Sequence, residues 1–135
     1  MITVGIPFVS ALGAFLLLDG LWLGVVMGGF YREQLGPIAR TSNGGLAPIW
    51  WVAGLVYVLL AAGTAGLVVP RSPSPAWAAA YGALFGLVVY GVYDLTNLAT
   101  LREWSPLLTI VDIAWGTVAC ACAGWFAVSA TRWWG

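Results

Sequence analysis

The sequence predicts an all-α integral membrane protein, a four-transmembrane-helix antiparallel bundle, and three observations predict it. Of 135 residues, 61% are apolar, and the mean hydropathy is +0.94, a composition that water-soluble domains do not carry. Only 7% are charged, with five basic and five acidic side chains. The apolar residues gather in four stretches bounded by charge or by Pro/Ser/Asn clusters, each close to the roughly 20 residues needed to cross about 30 Å of hydrocarbon.

The first stretch runs from Val4 to Met27. It has no basic start and carries Asp19 inside its apolar run, so it reads as a retained helix rather than a cleaved signal. A joint from Gly29 to Gly45 (GFYREQLGPIARTSNGG) holds charge and turn formers that lipid rejects. The second stretch, Leu46 to Val69, has Tyr57 as its one ionisable side chain and is expected to act as wall. The joint Pro70 to Ala76 (PRSPSPA) leads to the third, Trp77 to Leu98, and Ala99 to Ser105 (ATLREWS) leads to the fourth, Pro106 to Ala130. Together they form one membrane domain over residues 1–135.

An even number of crossings puts both termini on one face, A, and the joints 29–45 and 99–105 on the other, B. Trp50, Trp51 and Trp104 fall near the B boundary, and Trp77, Trp133 and Trp134 near the A boundary. Those are positions where an indole keeps one edge wet, and they read as anchors. Small residues recur at helical spacing as Gly20, Gly24 and Gly28, as Gly82 and Gly86, and as Gly116, Cys120 and Gly124. Such lines let backbones approach where lipid offers no hydrophobic drive for association. They serve packing within the bundle or a homodimer. Cys120 and Cys122, two apart on a helix, point to different faces and read as small fillers.

Composition also excludes functions. Zero net charge without a basic cluster argues against nucleic acid as a partner. The absence of His removes bis-histidine haem ligation, Ser-His-Asp triads and imidazole proton shuttles. No cofactor is expected, beyond a bound lipid or cation.

Asp19, Asp94 and Asp112 are what membrane physics leaves unexplained. A central Asp costs about 2.5 to 3.5 kcal/mol on an insertion scale. At a rise of about 1.5 Å per residue, Asp19 stands about 13 Å from the B end of its helix, and Asp94 and Asp112 about 6 to 9 Å. The antiparallel path therefore brings all three into the B half. Asp94 shares a helical stripe with Tyr90 and Asn97, with Thr96 and Thr100 nearby, and Tyr93 stands next to it. Asp19 and Asp112 each precede a Trp by three residues, Trp22 and Trp115. Because those helices run in opposite directions, the two rings are expected on opposite sides of the carboxylates, capping them above and below. No arginine lies inside a span, so Arg32, Arg40 or Arg102 must reach down from face B by snorkelling, or the carboxylates hold protons or a cation. If a hard cation binds, Asp19, Asp94 and Asp112 are its ligands. The bland alternative makes the aspartates inter-helix glue, bonded by Tyr, Thr, Asn and indole donors.

The segments FLLLDGLWLG (Phe15 to Gly24), FYREQLG (Phe30 to Gly36), YDLTNLATLREW (Tyr93 to Trp104) and DIAWGT (Asp112 to Thr117) carry a resemblance that spans nearly the whole chain. They resemble a bacterial family of small four-helix integral membrane proteins known as domain of unknown function 2177. The resemblance implies a multi-pass protein of the bacterial cytoplasmic (inner) membrane. Basic residues at the termini and middle loop of such relatives, matched here by Arg71 and Arg132, imply cytoplasmic termini and a site open to the outer half. It implies no activity, cofactor or catalytic residue.

Three functions compete. The first is binding or transport of a proton, a cation or a small apolar ligand at the three aspartates, lined by Trp22, Tyr90, Tyr93, Asn97 and Trp115. The second is a structural or accessory subunit docked in a larger membrane complex. The third is an enzyme, or the partner of one, in membrane lipid modification, using aspartates as general acid and base. No nucleophile motif accompanies the third, and the sequence leans away from an enzyme.

Overall fold

The computed structural model describes residues 4–135. Helix α1 (Gly5–Leu21) continues through a wide π turn (Trp22–Val26), and Met27 then breaks it at φ −122°. Helix α2 (Gly28–Leu35) follows, then the strands β1 (Thr41–Ser42) and β2 (Gly45–Leu46). Helix α3 (Trp50–Gly63) extends through a π turn (Thr64–Val68) and a 3-10 turn (Val69–Arg71). Helices α4 (Pro75–Thr100) and α5 (Pro106–Trp134) complete the chain. Four segments are long and apolar enough to cross a membrane: Gly5–Val26, Trp50–Arg71, Pro75–Thr100 and Pro106–Trp134. The four-helix class read from the sequence is the observed one.

The elements differ from expectation where local chemistry outranks hydropathy. The first joint is not plain loop but contains α2 and an antiparallel hairpin pairing Thr41 with Leu46 and Ser42 with Gly45. Asn43 (φ 50°) and Gly44 (φ 77°) make its turn, the Asn-Gly chemistry of a two-residue hairpin. Leu46 is thereby drawn out of the second span, which starts at Trp50. Helix α4 starts two residues before Trp77, because the Ser74 hydroxyl accepts the Trp77 N–H and Pro75 opens the first turn with its fixed φ. Ser105 and Pro106 repeat that pair at α5, with the Leu108 N–H donating to Ser105 Oγ at 3.1 Å.

Helices α4 and α5 form the closest pair, and glycine makes this possible. A Cβ on Gly82 would strike the Cys120 carbonyl, one on Gly86 the Gly116 carbonyl, and one on Gly124 the Ala78 carbonyl oxygen at 2.5 Å. These partners pair antiparallel, residue by residue, so the lines on α4 and α5 do the packing expected of them. The α1 line does not: Gly20 and Gly24 have nothing within 4 Å of their Cβ positions, and Gly28 faces the carbonyl of Leu23 in its own chain segment. The reason is the direction α1 faces, since Ala11, Phe15 and Asp19 are its buried stripe. Apolar core fills the A half, where Phe15, Leu60, Val68, Ala78, Cys120 and Ala127 are buried together. Polar side chains occupy the interior of the B half.

Candidate functional site

The aspartates separate into a pair and a single residue. Asp94 on α4 is fully buried at 0% exposure, and neither of its carboxylate oxygens has a hydrogen-bond partner. The group it faces is the carboxyl of Asp112 on α5. Asp112 Oδ1 accepts from the Tyr31 hydroxyl at 2.8 Å, and Tyr31 in turn accepts from Trp22 Nε1 at 3.2 Å. Asp19, on the A side of these groups, accepts from Trp115 Nε1 at 2.6 Å, and the Tyr57 hydroxyl of α3 faces the same carboxylate.

The two Asp-x-x-Trp motifs are thus cross-connected. Trp115 of the second serves Asp19 of the first, and Trp22 of the first serves Asp112 of the second through Tyr31. The indoles stack with centroids 4.2 Å apart and planes 2° from parallel. This reverses the expected order. Trp22 does lie one turn beyond Asp19 toward B, and Trp115 one turn beyond Asp112 toward A, but the two carboxylates bracket one indole pair rather than being capped by two separate rings. The staggered depth of Asp19 and Asp112 causes it, because one turn from each reaches a common level. The chain leaves Trp22 in a π turn, closed by the Met27 N–H on the Trp22 carbonyl at 2.6 Å.

Three further expectations change. The three aspartates do not share one centre: among the described residues no group of three or more His, Cys, Asp or Glu side chains is placed to hold a metal ion, so the hard-cation triad is withdrawn. Tyr93 is 56% exposed and meets Trp104 edge-on at 6.0 Å, so it stands on the outside of α4, and the half-buried Asn97 lies beside Tyr93 rather than bonding Asp94. The spacing of 93 and 94 turns their side chains about 100° apart, which puts one out when the other is in. Thr96 and Thr100 do not serve Asp94 either, since the Thr100 hydroxyl donates to the Thr96 carbonyl at 2.8 Å and both are exposed. Tyr90 does belong to the interior, its ring seated where Gly116 leaves room, near Asp19, Asp112 and Tyr57.

Two participants escaped the sequence reading. Tyr31 was part of a joint and Tyr57 part of a wall. In Tyr31 the available signal was an aromatic ring with Gln34 and Leu35 at i+3 and i+4, one face of a short helix within a polar stretch. That face docks α2 on the bundle, and Ser105 Oγ donates to Gln34 Oε1 beside it. Burial, reinforced by the Asp112 carboxylate, pushes the Tyr31 phenol up, so it stays protonated and donates. For Tyr57 the signal was its being the one ionisable group in an apolar helix.

A family model described as "Predicted membrane protein (DUF2177)" matches residues 4–129. The chain belongs to the DUF2177 family. No curated protein and no solved structure matches it. The family match spans all four crossing segments of this DUF2177 chain up to Ser129, and with them every residue of the interior just described.

Tyr31→Phe tests the docking of α2. It removes a hydrogen bond to a carboxylate, worth about 1.5–3 kcal/mol, and leaves the Trp22 N–H without its acceptor. Faster amide exchange across residues 28–46, with exchange in the A half of α5 unchanged, is the expected result; equal exchange in both proteins would show that the hydroxyl does not hold α2.

Proposed function

We propose that the chain binds a small cationic ligand, a proton or a cation, at the Asp94–Asp112 pair, as the binding step of transport across a bacterial cytoplasmic membrane. Both termini are then cytoplasmic, so face B and the pair lie toward the outer half. The observation that carries this reading is Asp94, a fully buried carboxyl group whose two oxygens have no donor and which faces a second acid. Structural glue accounts for Asp19, held by Trp115, and for Asp112, held by Tyr31. It does not account for Asp94, whose oxygens accept from no donor. An unpaired acid in a membrane interior costs insertion energy, and it persists where a ligand or proton uses it.

The test is flux in sealed vesicles containing the purified chain, under imposed proton or cation gradients. Wild type is expected to dissipate one of these gradients, and Asp94→Asn to lose at least tenfold of that rate while remaining folded. Equal rates in wild type, Asp94→Asn and Asp112→Asn would overturn the reading. A role as an accessory subunit or homodimer is favoured by a different observation, the unoccupied Gly20–Gly24 line on α1. Purification from native membranes in mild detergent tests it, and a lone monomer counts against it.

A further inference from the structure

The pair can be read for the kind of ligand it takes, an inference that rests on the function proposed above. A hard cation in a protein site draws on several oxygens, about six to eight for calcium and a near-octahedral set for magnesium. Here Asp94 offers two oxygens and Asp112 one that is unengaged, since its Oδ1 accepts from Tyr31. Asp19 does not join them: it is committed to Trp115 and Tyr57, with the stacked indoles of Trp22 and Trp115 between it and Asp112. The titratable groups around the pair are Tyr31 from α2, Asp19 beyond the indoles on α1, Tyr90 on the inner side of α4, and Tyr93 nearby on its outer side. Apart from Asp19 these are phenols, and no hydrogen bond joins an arginine to either member of the pair among the described residues.

Two carboxyl groups in contact are not both readily ionised, and on the Asp94 side, at zero exposure, no water screens them. Their donors also differ. Asp112 accepts a phenolic O–H, which suits a carboxylate. Asp94 receives no donor at all, which suits a group that is itself the donor. One proton answers both: on Asp94 it supplies an O–H for Asp112 to accept, and it removes one of the two charges. It also needs no cavity and no further ligand.

We propose that the ligand is a single proton, carried by Asp94 and shared with Asp112, and that metal cations do not compete for it. Release of that proton leaves two adjacent anions, the buried Asp94 on α4 and the half-buried Asp112 on α5, which part the helices at their B ends.

Infrared difference spectroscopy of the full chain in lipid nanodiscs near neutral pH tests this. The expected result is a carbonyl band of a protonated carboxyl group that Asp94→Asn removes, that sodium, magnesium and calcium leave unchanged, and that Asp112→Asn shifts in frequency without removing. Should Asp94→Asn fail to fold, Asp112→Asn and the cation series on wild type still decide, because a proton site keeps its band in both. A carboxylate band that moves on adding a cation, and does so only while Asp94 is present, would overturn the proton and leave the binding function standing. No protonated-carboxyl band and no cation response would overturn both.

Discussion

Gly86→Leu is expected to abolish the folded bundle, while Gly20→Leu leaves it intact. At Gly86 the first added carbon meets the Gly116 carbonyl and lies 2.8 Å from Cys120 Cβ. Neither neighbour is a flexible side-chain end, so α5 itself must move away. Overpacking a core costs about 1–3 kcal/mol when side chains can yield; a backbone obstacle puts Gly86→Leu beyond that, against a total stability of about 5–15 kcal/mol. At Gly20 nothing stands within 4 Å, and the change falls among surface substitutions of about 0.5 kcal/mol or less. Thermal aggregation midpoints in detergent distinguish the two, and similar midpoints would mean that α4 and α5 do not pack through this line. Loss of oligomers in Gly20→Leu, with an unchanged monomer midpoint, would be the mark of a homodimer on α1.

Trp115→Ala is the second large effect, toward the lower end of the about 3–5 kcal/mol for a buried aromatic truncated to Ala, because Trp115 is half-buried. It removes the stack on Trp22 at 4.2 Å and the donor to Asp19 at 2.6 Å together. Trp115→Phe keeps a ring for Trp22 to lie against and removes the N–H alone, so it is expected to cost about 1–3 kcal/mol, the range for a buried acceptor deprived of its donor. Asp19→Asn combined with Trp115→Phe should recover part of the Phe cost, since an amide is less penalised than an unserved carboxylate. Equal unfolding midpoints for Trp115→Ala and Trp115→Phe would assign the whole effect to the hydrogen bond and none to the stack.

The site was legible as far as residue type and depth carry information. An aspartate in an apolar run is costly wherever the helix lies, so Asp19, Asp94 and Asp112 stood out without any knowledge of packing. Helix rise and an antiparallel path placed them in one half. Azimuth was less accessible. Asp94 and Tyr93 are adjacent in sequence, yet one is fully buried and the other 56% exposed, and only the face that α4 turns toward α5 separates them. The same holds for glycine: the lines on α1 and α4 look alike as spacing, and packing uses the second while leaving Gly20 and Gly24 open. Tyr31 was hidden by a different cause, because a polar joint carries no hydropathy signal for a short helix that folds back on the bundle.

The sequence by itself determined that this chain crosses a membrane four times and carries three acids with no base beside them, because lipid imposes length, apolarity and the cost of charge on each segment separately. Tertiary structure alone decided how those acids divide. It joined Asp94 to Asp112, gave Asp19 to Trp115, and laid Trp22 against Trp115 between the two carboxylates. Those outcomes depend on helix rotation and on a π turn that shifts it, quantities set by the contact of whole helices rather than by any residue's own preference.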